Sequence, residues 1–504
     1  MRFLGDELTI TTAADWNHAG KAKLFLYNVH YFDDLNAVDA QERLALHSAL
    51  IERWIVDNPA PLGNGWESYP LSLRIVNWIA HFSRRDTVPQ HWLDSLATQA
   101  LYLSKRIEYH LLGNHLFTNA KALVFAGCFL ENNDRLLSTG LAILQRELPE
   151  QVLSDGGHFE LSPMYHCIAM ADLIDLVNLA NSYPDKIPSD TRQDWKRTLK
   201  LMFRWLDHMQ HPDARISLFN DAAFGIAPDR QTLAAYAKTQ AIEFDEGTEP
   251  IHYAEASGYV AVHSTSLTCM MDVGRIGPDY IPGHAHADSL TFELSLHGQR
   301  VVCDSGTSVY GTGAERLRQR GTNAHNTVVV DSENSSEVWS GFRVARRAYP
   351  LNVSVKPPLV DSQNTAISKH ESDSYTRSIE GLVVSAGHTG YRRLPGQCTH
   401  HRQWSFGDGK ITINDKVSGN FNEAIALYHL HPDVLAEQND SGVLLILANK
   451  QSARFTAHGG SIRIEPSTWH PEFGVSVPSQ RLVVTFTHNE LTTTLAWREP
   501  MIQQ

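Results

Sequence analysis

The feature that most restricts the fold of this chain is a change in hydrophobic period near residue 250. Before it, apolar residues recur at helical spacing, as in Leu46, Leu50, Ile51, Trp54 and Ile55, in Met170, Leu173, Ile174 and Val177, and in Trp195, Leu199, Met202, Phe203 and Leu206. Each set forms a one-sided apolar stripe on a helix. Punctuators such as Asn58-Pro59-Ala60-Pro61 and Asp155-Gly156-Gly157 stop each helix after a few turns. After it come short β-branched runs, including Val301-Val302, Thr327 to Val330, Leu382 to Val384, Ile411 to Ile413, Val443 to Leu447 and Leu482 to Thr487. Turn clusters such as Asn439-Asp440-Ser441-Gly442 separate them, the pattern of antiparallel β structure. Helices followed by strands, with no βαβ alternation, exclude a doubly wound sheet. The expectation is a multidomain α+β chain: a helical domain over residues 1–245, an antiparallel β domain over 246–504, and a polar hinge from Glu243 to Pro250.

Composition narrows the partners. With 504 residues, 42% hydrophobic and 20% charged, the chain can bury a large core, which excludes a disordered protein. The 43 basic against 56 acidic side chains give a net charge of −13, which argues against a nucleic-acid partner; an acidic polymer would need a local cationic cleft. No stretch approaches the roughly 20 apolar residues of a membrane span, and Met1 to Glu7 lacks the apolar run of an export signal. The five cysteines contain no CxxC pair and read as buried or free thiols of a reducing compartment. These features predict a soluble cytoplasmic protein with no membrane partner, or a periplasmic or secreted one if a leader precedes this sequence.

Three polar segments could carry chemistry. Pro282-Gly283-His284-Ala285-His286-Ala287-Asp288 precedes an apolar run, and alternation puts His284 and His286 on one side. Asp304 and His325 follow, and a His286, Asp304, His325 set suits a zinc-like ion with water in a fourth position; hydrogen-bonded loop histidines are the plainer alternative. In Gly113-Asn114-His115-Leu116-Phe117-Thr118-Asn119, Thr118 or Asn119 can serve as a helix N-cap, which leaves Asn114 and His115 in a preceding loop. In Asp155 to His166, Ser162 before Pro163 is a helix start, with Tyr165 in the first turn, where simple packing also explains it.

Taken together, Gly113 to Leu116, Asp155 to His166, Gly283 to Asp288 with Leu290 to Leu294, Asp304-Ser305-Gly306 and Arg320 to Val330 resemble the heparinase II/III-type polysaccharide lyases, related also to oligo-alginate lyases. The resemblance implies an incomplete (α/α) toroid followed by an antiparallel β-sandwich, with the catalytic cleft between them. It also implies β-elimination on a uronic-acid polysaccharide or oligosaccharide, with a 4,5-unsaturated uronate as product. Removing the C5 proton builds charge on the adjacent carboxylate, which must be neutralised. Asn114 and His115 match the neutralising positions. Tyr165 matches the tyrosine that protonates the leaving oxygen, and His284 matches the alternative base or carboxylate ligand. His286, Asp304 and His325 match the metal positions of the branch that holds a structural zinc; no organic cofactor is implied.

Candidate substrate contacts are Trp66, Glu67 and Arg74 in the helical half, then Asn220, Asp221 and Arg320, since sugar faces stack on tryptophan and anions pair with arginine. Arg316, Arg318, Arg343, Arg346 and Arg347 extend the same cationic theme. Trp66 reads equally well as core. A hydrolase or processing protein for an intracellular or capsule-type polysaccharide is the second reading, and a non-catalytic carbohydrate-binding scaffold the third.

Overall fold

The computed structural model describes residues 1–357 and 379–497. Two compact units emerge: Met1–Val152 with Ile168–Leu199 and Leu233–Glu243, and Leu153–Cys167 with Lys200–Thr232 and Phe244–Gln504.

The first unit is helical. Its helices are α1 (Lys23–Val29), α2 (Leu44–Asp57), α3 (Ser68–Phe82), α4 (Gln90–Leu103), α5 (Gly113–Phe129) and α6 (Asp134–Gln151), followed by most of α7 (Pro163–Ser182), the start of α8 (Ser189–His208) and most of α9 (Arg230–Thr239). The stripes read from the sequence are buried in α7 and α8 from Met170 to Val177 and from Trp195 to Leu206. In α2 the stripe is displaced: His47, Ile51 and Trp54 are buried while Leu46 is exposed. His47 takes the core position because its ring packs edge-on against His81 and its Nε2 lies 2.7 Å from Asp34. Helix α5 is mostly apolar, and all residues from Leu116 to Cys128 are buried, including Lys121, which pairs with Asp172 and Asp175. It meets α6 at glycines. A Cβ on Gly127 would lie 2.4 Å from the backbone nitrogen of Leu137, and one on Gly140 would lie 2.7 Å from the carbonyl of Ala120.

The second unit holds the antiparallel sheets. A five-stranded meander runs through Ile251–Ala254, Tyr259–His263, Leu267–Asp272, Phe292–Leu296 and Gln299–Val302. A four-stranded sheet orders Gly460–Trp469, Val477–Phe486, Ala424–His429 and Val328–Val330. An eight-stranded sheet orders Pro350–Lys356, Val383–His388, Thr399–Gly407, Lys410–Ser418, Glu490–Ala496, Ser452–His458, Gly442–Ile446 and Leu435–Asn439. Burial alternates residue by residue along Thr399–Gly407, which sends His400, Arg402, Trp404 and Phe406 inward. Residues from all three sheets, including Val262, Phe292, Val328, Trp404, Ile413, Tyr428 and Leu482, share one apolar core. Each β-branched run named above falls on a strand or its edge. The five cysteines are free and buried. Among the described residues, no helix is long and apolar enough to cross a membrane.

Candidate active site

Within the second unit, four segments bring chemistry-bearing side chains together: the start of α7, the turn at Asn220-Asp221, the loop before Phe292–Leu296, and α10 (Ala314–Arg320). Ser162 is the N-cap that the Ser-Pro pair predicts. Its Oγ accepts the backbone N–H of Tyr165 at 3.3 Å and donates to the carbonyl of Asp221 at 2.7 Å. Tyr165 therefore leaves the first turn of α7 in a fixed direction. Its ring stacks on the His284 imidazole with centroids 3.9 Å apart, and its Oη lies 3.0 Å from the Oη of Tyr310. The Arg316 guanidinium lies over the Tyr310 ring at 4.8 Å. Burial pushes the Tyr310 phenol well above its ordinary value, so it stays protonated beside the Tyr165 hydroxyl.

Asp221 is fully buried at the centre of this group. Its Oδ2 lies 2.9 Å from Nδ1 of His284 and its Oδ1 lies 2.8 Å from Nε2 of His286. Arg316 donates to both oxygens, at 2.6 Å from Nη2 to Oδ2, in a bidentate pair. Burial alone would raise this carboxyl, but the Arg316 charge and the two histidine hydrogen bonds hold it well below the usual carboxylate range. On the other side of His284, Glu160 Oε2 is 4.0 Å from Nε2.

Asn220 and Arg320 are buried structural groups instead of sugar contacts. Asn220 donates to the Leu161 carbonyl at 3.0 Å and accepts the His286 N–H at 3.1 Å. Arg320 donates to the Ala285 carbonyl at 2.8 Å, which pins the loop between the two histidines. Asp221 is likewise enclosed and out of reach of a polymer.

The expected metal positions lie in one buried cluster. His325 Nδ1 is 2.7 Å from Asp304 Oδ2, and the rings of His286 and His325 have centroids 5.2 Å apart. Among the described residues, no three His, Cys, Asp or Glu side chains converge as a ready ligand set. The chemistry of the donors nevertheless fits a cation. His286 Nδ1, His325 Nε2 and both oxygens of Asp288 are buried without hydrogen-bond partners. Burial pushes the Asp288 carboxyl up to about 6, and Asp272 and Asp304 are also raised by burial. His286 is pushed down to about 3, first by burial, and stays neutral as a ligand must be. Burial lowers His325 too, but its carboxylate neighbours outweigh that and raise it.

The first unit supplies a separate polar group. Asn114 and His115 stand on the first turn of α5, which begins at Gly113, five residues ahead of the Thr118 cap expected from the sequence. Leu112 and Gly113, both at positive φ, make the entry turn. Thr118 and Asn119 are interior: Asn119 accepts the Glu108 N–H at 2.9 Å and donates to Glu108 Oε2 at 3.1 Å. The same carboxylate oxygen lies 3.3 Å from His115 Nδ1, and the His115 ring tilts against Tyr69 at 4.4 Å. Trp66 and Arg74 are core residues and not a sugar platform. Trp66 Nε1 donates to the Asn58 carbonyl at 3.0 Å. Arg74, fully buried, donates to Gln99 and to the Gly65 carbonyl and lies 3.8 Å over the Trp54 ring. Glu67 is half-buried and bonded to Lys23 and Tyr27.

Tyr310 is the functional candidate that sequence reasoning missed. An aromatic in a Gly- and Ser-rich loop carries no spacing signal, and only the fold sets its hydroxyl against Tyr165. Glu108 escaped for the same reason.

Solved structures define the class first. The chain matches a crystal structure of heparinase III with TM-score 0.72 at 18% identity, over 98% of this chain and 79% of that one. It also matches a chondroitinase AC lyase with TM-score 0.53 at 10% identity, over 95% and 76%. The fold is thus a helical toroid followed by an antiparallel β-sandwich. The heparinase II/III N-terminal model matches residues 30–246, and the heparinase II/III-like C-terminal model matches residues 246–498. The chain belongs to the heparinase II/III family. Among curated relatives are heparin-sulfate lyases from Bacteroides stercoris, 28% identical over 253 residues, and from Pedobacter heparinus, 30% identical over 325 residues. Those matches cover 46% and 56% of this chain but only 38% and 47% of the relatives, so they span less than half the length of either relative.

Proposed function

We propose that this chain is a polysaccharide lyase that cleaves a uronate-containing glycosaminoglycan by β-elimination. The observation that carries the reading is the stacked pair of Tyr165 and His284, held by Asp221, in a member of this family. In the elimination a base removes the C5 proton, the C–H electrons become the C4–C5 double bond, and the C4–O bond breaks toward the leaving sugar. Tyr165 returns a proton to that oxygen. His284, or the Tyr165 phenolate, takes the C5 proton according to the configuration at C5. Tyr310 supports either role as a neighbouring donor. Asn114 and His115 match the family's carboxylate-neutralising positions, a role that would offset the charge that develops on the substrate carboxylate. Production of unsaturated uronate tests the reading; products that carry one more water would instead identify a hydrolase.

For the metal, His286, Asp304 and His325 would hold a divalent ion, with zinc the best match to two imidazoles and a carboxylate. When bound, the ion supplies positive charge to a cluster of buried carboxylates. The support is the pair of orphaned imidazole nitrogens and the unpartnered Asp288. Elemental analysis is expected to find about one zinc per chain, and chelation is expected to lower the thermal midpoint with no substrate present. Metal-free protein with an unaltered midpoint would remove this assignment.

A further inference from the structure

Trp339 and Phe342 are large aromatic side chains left open to solvent, at 55% and 40% exposure. Both stand on one small hairpin, whose strands Glu337–Trp339 and Arg343–Ala345 form a two-stranded sheet of their own. Apolar residues scattered singly are ordinary on a surface, whereas two aromatics on one anchored turn mark a binding surface. An isolated two-stranded hairpin is marginal in water, so this one depends on its anchors. Val344 packs against the apolar cluster of Ile276, Ala285 and Ala348. Arg316 Nε donates to the Gly341 carbonyl at 3.1 Å, and Arg320 donates to the carbonyls of Ser340 and Arg343, each at 3.4 Å. A Cβ on Gly341 would lie 2.3 Å from the Gly311 carbonyl oxygen, so the turn sits hard against that loop. Arg316 also holds Asp221, and Arg320 also holds the Ala285 carbonyl, which ties the hairpin to the loop that carries His284.

From that fixed turn, Phe342 sets its ring edge-on to His284 at 6.0 Å and to Tyr310 at 5.2 Å. Trp339 and Arg343 are direct cross-strand partners, so they project from one face, opposite the face on which Val344 is packed. Arg343 is exposed, and among the described residues its guanidinium has no carboxylate partner. A pyranose ring offers a face of C–H groups to an aromatic ring, and its sulfate or carboxylate offers the paired oxygens that suit a guanidinium. A purely apolar partner would cover Arg343 and leave its charge unpaired; an anionic sugar satisfies the rings and the cation together.

We propose that the hairpin of residues 337–345 is a substrate platform, on which Phe342 and Trp339 stack sugar rings next to the one that meets His284 and Arg343 takes an anionic substituent of those rings. The inference rests on the lyase reading for the class of ligand, but binding tests it without turnover. Calorimetry in the Tyr165→Phe background uses two probes, a heparan sulfate hexasaccharide and the unsulfated hexasaccharide of the same backbone. Trp339→Ala should weaken both probes about tenfold, as the loss of an aromatic anchor does. Arg343→Gln should weaken the sulfated probe about tenfold as well; a loss confined to that probe identifies sulfate as the partner, and an equal loss on both identifies the carboxylate. Both side chains are exposed, so the thermal midpoint should stay native. Unchanged affinity for both probes in either variant, or no binding of either probe, would overturn the proposal.

The kinetic arm uses Phe342→Leu in the otherwise native chain, which keeps an apolar body beside His284 and removes the flat ring. KM should rise several-fold while kcat stays within a few-fold. A fall confined to kcat would make Phe342 a support for the reacting side chains and strike it from the platform. Weakened binding in the hairpin variants of a chain that yields no unsaturated product would keep the platform and discard the lyase reading. Unsaturated product with undiminished binding would do the reverse.

Discussion

The proposed elimination turns on Tyr165, and its surroundings are specific enough to predict a clean loss. Tyr165→Phe keeps the ring that stacks on His284 and removes only the hydroxyl that faces Tyr310. Turnover should fall below detection while binding of an oligosaccharide, measured by calorimetry, persists within a few-fold; retained turnover would remove Tyr165 from its role. Much of this site was legible residue by residue. The Ser162-Pro163 start and the placement of Tyr165 in a first turn follow from local rules; His284 and His286 both meet Asp221, but from a loop and not by strand alternation. What local rules do not reach is burial. Arg74, Asn220, Asp221 and Arg320 read as polar groups suited to an anionic sugar, but each has its hydrogen bonds met inside the protein. The single sequence does not distinguish an interior arginine from an exposed one, because the partners are mostly backbone carbonyls.

At the scale of elements, the period switch locates where the sheets of the β-rich unit begin, at Ile251, but packing divides the chain differently, since 153–167 and 200–232 cluster with that unit. Polar strands were the least visible. Thr399–Gly407 holds histidine, arginine and glutamine and no β-branched run, yet it is a strand whose inward His400 and Arg402 are paired. There Arg402 makes a bidentate pair with Asp415, and His400 Nε2 lies 2.7 Å from the same carboxylate. Burial would raise Asp415, but Arg402 and His400 pull it down to about 2, below its unfolded value. A depressed carboxyl stabilises the fold above the unfolded pKa, near about 4, and that contribution is lost as pH falls through about 2. Asp415→Asn should cost about 3–5 kcal/mol at neutral pH by stranding Arg402, and the gap from native should narrow below about pH 4. Denaturant unfolding across that range checks it; a pH-independent gap would contradict it. In the helical unit, Gly127→Ala drives a Cβ into the Leu137 backbone and should destabilise by about 1–3 kcal/mol through overpacking. A neutral effect would mean that α5 and α6 can separate at no cost.

For the molecule as a whole, the acidic net charge of −13 coexists with a family whose curated relatives are heparin-sulfate lyases. The buried arginines of the second unit do not explain such a preference, because Arg316 and Arg320 are already paired. Arg343, which is exposed, is the better candidate for meeting sulfate or carboxylate, whereas Arg346 is already paired with Glu337. The toroid itself was beyond periodicity, which yields helices but not their closure; it came from family resemblance and from the solved neighbours. His286 resembles the metal-bearing branch of the family, so metal content tests that resemblance in this chain.

The central claim is that these residues perform elimination on a uronate. Purified full-length protein incubated with heparan sulfate, hyaluronan, chondroitin and alginate should generate, with at least one of them, the ultraviolet absorbance of an unsaturated uronate. The products should be one water lighter than those of hydrolysis, and Tyr165→Phe should give neither signal. No new absorbance with any polymer, or products of hydrolytic mass, would contradict the account.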